Sequence, residues 1–176
     1  GPEHAMAQMI IANTALIAFV FLMLFAALED VRRYTIPNWI PALMVVLWIG
    51  AAPFLALGWA GAGVSMLTFA GVLAIGMALW APGWVGGGDV KLLAAGALWF
   101  GWPDTLAFLL YAMVAGGVLA VVLVVLRKFS PALPVSPQTL GKTPLASGAP
   151  APYAVAIAAG ALLVLPASAV FSAYQA

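Results

Sequence analysis

The sequence predicts an all-α, polytopic membrane protein of about six transmembrane helices, the fourth of them short. Three observations carry that prediction. Of 176 residues, 66% are hydrophobic and only 6% charged, whereas roughly a quarter of a soluble domain is charged. Apolar runs long enough to cross ~30 Å of hydrocarbon recur along the chain. All six basic residues (Arg32, Arg33, Lys91, Arg127, Lys128 and Lys142) fall in, or at the edge of, alternate breaks between those runs and so on one side, as expected of the cytosolic loops of a multipass protein.

Taken in order, residues 1–6 (GPEHAM) read as a tag-cleavage remnant, and residues 7–176 as a single transmembrane domain. The first span is expected at 10–28 and ends at the polar break EDVRRYTIPN. The second is expected at 39–57, before GWAG, and the third at 61–81, before APGWVGGGD. The fourth, 90–100, is flanked by that glycine run and by GWPD. Eleven to thirteen residues there give only ~16–20 Å of helix, so it starts below the membrane surface or meets a thinned bilayer. The fifth is expected at 105–126 and the sixth at 153–171. Between them, 129–151 is rich in Pro, Ser and Gly and reads as a mobile cytosolic loop. Gly71, Gly76, Gly116 and Gly117 are candidates for close helix approach.

Several function classes fall away. A net charge of +1 leaves no basic footprint for nucleic acid. The absence of cysteine excludes disulfides, thiolate catalysis and cysteine-ligated zinc. The single histidine, His4, lies in the remnant. No metal or other cofactor is expected.

What remains is the carboxylates: Glu3, Glu29, Asp30, Asp89 and Asp104. Asp30 ends the first span and Asp89 opens the fourth, so span parity brings both to the cytosolic end. Each alone has a plain structural explanation. Asp30 beside Arg32 and Arg33 is an ion cluster that fixes topology, and Asp89 after glycines is a helix cap. Glu29 projects ~100° away from Asp30 around the helix and reads as structural. As a pair the two aspartates suggest more. Close carboxylates share a proton, so one serves as base on a water while the other polarises a carbonyl. That chemistry hydrolyses a peptide bond without a metal, and the glycines before Asp89 let an extended backbone approach.

Three segments resemble the type IV prepilin peptidases. DVRRYTIPN (Asp30 to Asn38) resembles the family's D-x-R-x-x-x-I-P-N, GGGDVK (Gly86 to Lys91) its G-x-G-D-x-K, and PYAVAI (Pro152 to Ile157) its P-Y-x-x-A-I. The resemblance implies a G-x-G-D intramembrane aspartic peptidase with Asp30 and Asp89 as the catalytic pair. It further implies that Gly86 and Gly88 shape the site loop, that Ile36, Pro37 and Asn38 set the entry to the second span, and that Lys91 lies beside the site. The implied substrate is a prepilin-like protein whose short basic leader is removed at the cytosolic face of the bacterial inner membrane. The chain is similar to the short, Flp (tight-adherence) form or to archaeal preflagellin peptidases, and GGGDVKLLAAGALWFGW around the site favours the bacterial short form. It lacks the cysteine-bearing region of the larger members, so no methyltransferase activity is expected. The competing reading is a small ion-coupled transporter or a non-catalytic pilus-assembly membrane subunit, because carboxylates beside a broken helix also serve carriers.

Overall fold

A computed structural model describes residues 1–132, 134–146 and 148–172. Positions 133 and 147 of the expected loop, and 173–176 of the expected domain, lie outside the described residues. All the regular structure among the described residues is helical, with no strand.

The six expected helices are present, with boundaries that hydropathy alone does not set. α1 (Pro2–Arg33) runs well past both ends of its apolar stretch. It stops where Tyr34 turns left-handed (φ 53°) and donates its N–H to the Asp30 carbonyl at 2.9 Å. The next residues, Thr-Ile-Pro, cannot resume a helix, because a residue before proline avoids that conformation. α2 (Trp39–Ala51) gives way to one 3₁₀ turn, Ala52–Phe54, at Pro53. α3 (Gly58–Trp80) and α5 (Asp104–Phe129) are long and straightforwardly apolar. α4 (Gly87–Phe100) has 14 residues, about 21 Å at 1.5 Å per residue, and is the short helix the sequence implies.

The last expected span differs most. Instead of one helix over 153–171, α7 (Tyr153–Val164) passes into a 3₁₀ turn, Leu165–Ala167, and then a separate short helix, α8 (Ala169–Ser172). Pro166 is the cause, since it lacks an N–H and clashes with the preceding turn. Among the described residues, three helices are long and apolar enough to cross a membrane: α1, α3, and α5 with the turn that follows it. α2 and α7, each with its 3₁₀ turn, are shorter apolar helices. The 129–151 connection holds a 3₁₀ turn, Ser130–Ala132, and a single-turn helix, α6 (Pro137–Leu140).

α4 is the axis of the bundle, with α2, α3, α5 and α7 around it, and α1 packs on α2 and α7. Its Leu92 and all of residues 94–100 are buried. Trp99 stacks on Phe19 of α1 (5.0 Å between rings) and donates its indole N–H to the Met44 carbonyl of α2 at 3.0 Å. Small residues permit this density. A methyl group at Gly96 would lie 2.6 Å from the Phe108 ring, one at Gly76 2.5 Å from Val90, and one at Gly160 2.7 Å from the Ala112 backbone nitrogen. Of the four glycines singled out for close helix approach, Gly76 packs against a neighbour within the chain itself. Gly116 has ordinary contacts, and Gly71 and Gly117 face open space, where lipid would lie.

Candidate active site

The carboxylates occupy one end of this bundle because the helices alternate in direction. Asp30 lies in the last turn of α1 and Asp89 in the first turn of α4. Both line a single cleft of about 620 Å³, together with Tyr34, Ile36, Asn38 and the glycine run.

Asp30 is buried and held in place. Its Oδ2 accepts the Ala154 N–H at 3.0 Å. Ala154 is the second residue of α7, whose N-cap is Pro152 and offers no side-chain acceptor. The first N–H groups of a helix have no partner within it, and a carboxylate there is doubly favoured by hydrogen bonding and by the helix dipole. The bond spans 124 residues of chain. It gives the PYAVAI segment a physical role, to bring an amide to Asp30. One carboxylate oxygen is thus committed to the scaffold.

Asp89 is different. Among the described residues its carboxylate forms no hydrogen bond, and the N-cap position before it, Gly86, offers no side-chain cap. It is half-buried and faces the cleft. The three glycines each leave room for a different neighbour. A methyl group at Gly86 would come 2.9 Å from Asp89 Oδ2, one at Gly87 3.2 Å from the Trp80 indole nitrogen, and one at Gly88 3.2 Å from Ile36. Gly86 therefore keeps the carboxylate's flank open, and Gly88 lets buried Ile36 close the cleft against α4.

The remaining expected residues gather here too. Pro37 accepts the Ile40 N–H at its carbonyl (3.1 Å), which starts α2. Asn38 takes the N-cap position of α2, yet its side chain does not cap the helix. Instead its Oδ1 accepts from Lys91 Nζ at 3.0 Å, a tie between α2 and α4 at the cleft's edge. Glu29 does not line the cleft; it is buried and pairs with Arg33 at 3.5 Å, one turn on.

Two contributors escape a reading of the sequence. Tyr34 lines the cleft with a buried hydroxyl that has no partner among the described residues. Arg127, at the end of α5, donates to the Pro144 carbonyl (3.0 and 3.2 Å) and to the Ala149 carbonyl (2.7 Å). It thereby fixes the segment whose next residues, Pro150 and Ala151, form a wall of the cleft. Of this role the sequence carries only the positive charge of Arg127. Among the described residues, no group of three or more acidic or histidine side chains gathers to hold a metal ion.

No curated protein and no solved structure matches the chain. A sequence model of the type IV leader peptidase family matches residues 17–121, a stretch that contains both cleft aspartates and the glycine run and stops short of α7. That match covers more than half of the molecule, and the chain belongs to the type IV leader peptidase family.

Proposed function

We propose that the protein is an aspartic endopeptidase in which Asp30 and Asp89 activate one water against a peptide bond. The observation that supports this most is that both carboxylates line one open cleft, one of them pinned by a backbone amide and the other unengaged. One carboxylate takes a proton from the water as its oxygen attacks the carbonyl carbon. The other, protonated, donates to the carbonyl oxygen and stabilises the tetrahedral intermediate. When the C–N bond breaks, a proton passes to the leaving amine, and the pair is left sharing one proton as before. The Ala154 bond holds Asp30 in one orientation, so its second oxygen need not be ordered during reaction.

Residues 7–176 act as one peptidase domain. The substrate is a prepilin-like protein, cut between a short basic leader and an apolar helix at the cytosolic face of the bacterial inner membrane. All six basic residues lie at or beside the cleft-bearing end, which favours that end as the cytosolic one. Lys91 and Asn38 brace α2 against α4 beside the reaction. The product keeps a free, unmethylated N-terminus.

The test is purified protein with a synthetic prepilin-like peptide in detergent, followed by mass spectrometry. Cleavage at the leader junction that persists in strong chelator is the expected result. Absence of product from folded protein would favour the transporter or assembly-subunit reading, since hydrolysis needs neither a gradient nor a second component.

A further inference from the structure

A second cavity adjoins the cleft and differs from it in character. It is a groove of about 490 Å³ between α3 and α5, floored by α4 and α7. The gap exists because α3 packs extensively on α4 alone, so nothing closes α3 against α5. Its banks are apolar side chains, Ile75 on one side and Met113 on the other, and its floor includes Leu93 and Ile157. Along α3 it runs from Leu79 to Val72, about 10 Å down from the acidic end at 1.5 Å per residue. Groove and cleft share Trp84, Val85, Gly86, Asp89 and Tyr153. Asp89 therefore stands where a polar space meets an apolar one.

We propose that this groove seats one face of the substrate's apolar helix, with the start of that helix at Asp89 and the preceding extended segment in the cleft. The proposal rests on the peptidase reading above. A volume of 490 Å³ admits side chains from one face of a helix, not a whole helix, so the other face stays in lipid. An acyl chain would fill the apolar length equally well but has nothing to offer a carboxylate. A helix beginning at the mouth of the groove does: its first N–H groups lack partners and its dipole favours a nearby acid. The same geometry explains how a peptide bond becomes accessible. Backbone inside the groove is helical and self-bonded, and backbone beyond Asp89 is extended and free to meet the water.

The absence of native cysteine makes the test clean. Single cysteines at Ile75 and Met113 would report the two banks. Leu67 and Val121 are equally exposed controls, at 74% and 65% against 66% and 65% for the bank residues, and neither lines the groove. The probe is a synthetic peptide with a Lys-rich leader and a Leu/Ala/Val helix carrying one cysteine a turn or two below the junction. It is mixed with each variant on an Asp89→Asn background in vesicles and oxidised with copper phenanthroline. Disulfide yield is expected to be about tenfold or more higher at 75 and 113 than at 67 and 121, as held proximity raises effective concentration. Equal yields at all four positions, yields confined to the controls, or no cross-link anywhere would overturn the proposal. Cleavage of the same probe by the parent protein is measured separately. Cleavage without bank-specific cross-links removes the groove and leaves the peptidase, whereas bank-specific cross-links without cleavage remove the peptidase and leave a helix-binding groove.

Discussion

An aspartate caps a helix at each end of this bundle. At one end Asp30 accepts the Ala154 N–H of α7 at 3.0 Å; at the other Asp104 accepts the Ala169 N–H of α8 at 2.8 Å. Bond for bond the two are nearly alike. Their surroundings are not. Asp30 is buried and shares a cleft with a second, unengaged carboxylate. Asp104 is partly exposed, and the other acid toward its end, Glu3, sits in the exposed first turn of α1. Capping is therefore common to both ends and distinguishes neither. What sets the Asp30 end apart is that its cap leaves one oxygen free in a cleft that a second acid also lines. A capping aspartate is then scaffold at one end and, on the proposed reading, scaffold and reagent together at the other.

The contrast breaks most sharply at the dyad. Asp89→Asn and Asp30→Asn should each lower cleavage by about 10³-fold or more, and the double variant should be no worse than either single one, because groups acting as a unit are strongly non-additive. Asn at position 30 retains an acceptor for the Ala154 amide, so the folded protein should persist; thermal unfolding in detergent checks this. Substantial turnover by folded Asp89→Asn would reduce Asp89 to the same standing as Asp104.

Arg127→Met comes next. It removes a cation from two carbonyls and frees the wall at Pro150 and Ala151. We expect a loss of about 1.5–3 kcal/mol in stability and a rise in KM larger than the fall in kcat. Asp104→Ala should cost about 1 kcal/mol, the usual value of a lost cap, with kcat unchanged. If it abolished cleavage in folded protein, the two ends would not be functionally distinct. The smallest effect is expected from Glu29→Gln, which should alter stability by less than about 0.5 kcal/mol, as for other pairs one helical turn apart, and leave most activity.

The two ends were also unequally legible. The acidic pair could be read because acids are scarce, so that any two brought to one depth by span parity stand out. The six helices were legible for the same reason in reverse, since long apolar runs have few alternatives in a membrane. Helix ends were less visible. Hydropathy reports where a segment is oily, not where its backbone stops turning, and α1 extends into polar residues on both sides. The break at Pro166 is written in the proline itself, but it lies inside an apolar run that reads as one span. The close crossings depend on which face of a helix meets another. Gly96 and Gly160 are buried against neighbours while Gly71 and Gly117 face outward, and residue type alone does not distinguish them. The Ala154 amide and the carbonyls held by Arg127 were invisible for a deeper reason. Every residue has such groups, and only the folded path selects the ones that matter.

The bond from Asp30 to Ala154 also orders events in time. A chain is made from its N-terminus, so Asp30 enters the membrane early, Asp89 midway and α7 near the end. Until α7 arrives, Asp30 lacks the amide that orients it, and the cleft lacks Tyr153 and the wall at Pro150 and Ala151. The two acids can meet before then, but not in their final geometry. Synthesis thus carries its own delay: a nascent chain holds both carboxylates for many residues before it holds a completed cleft.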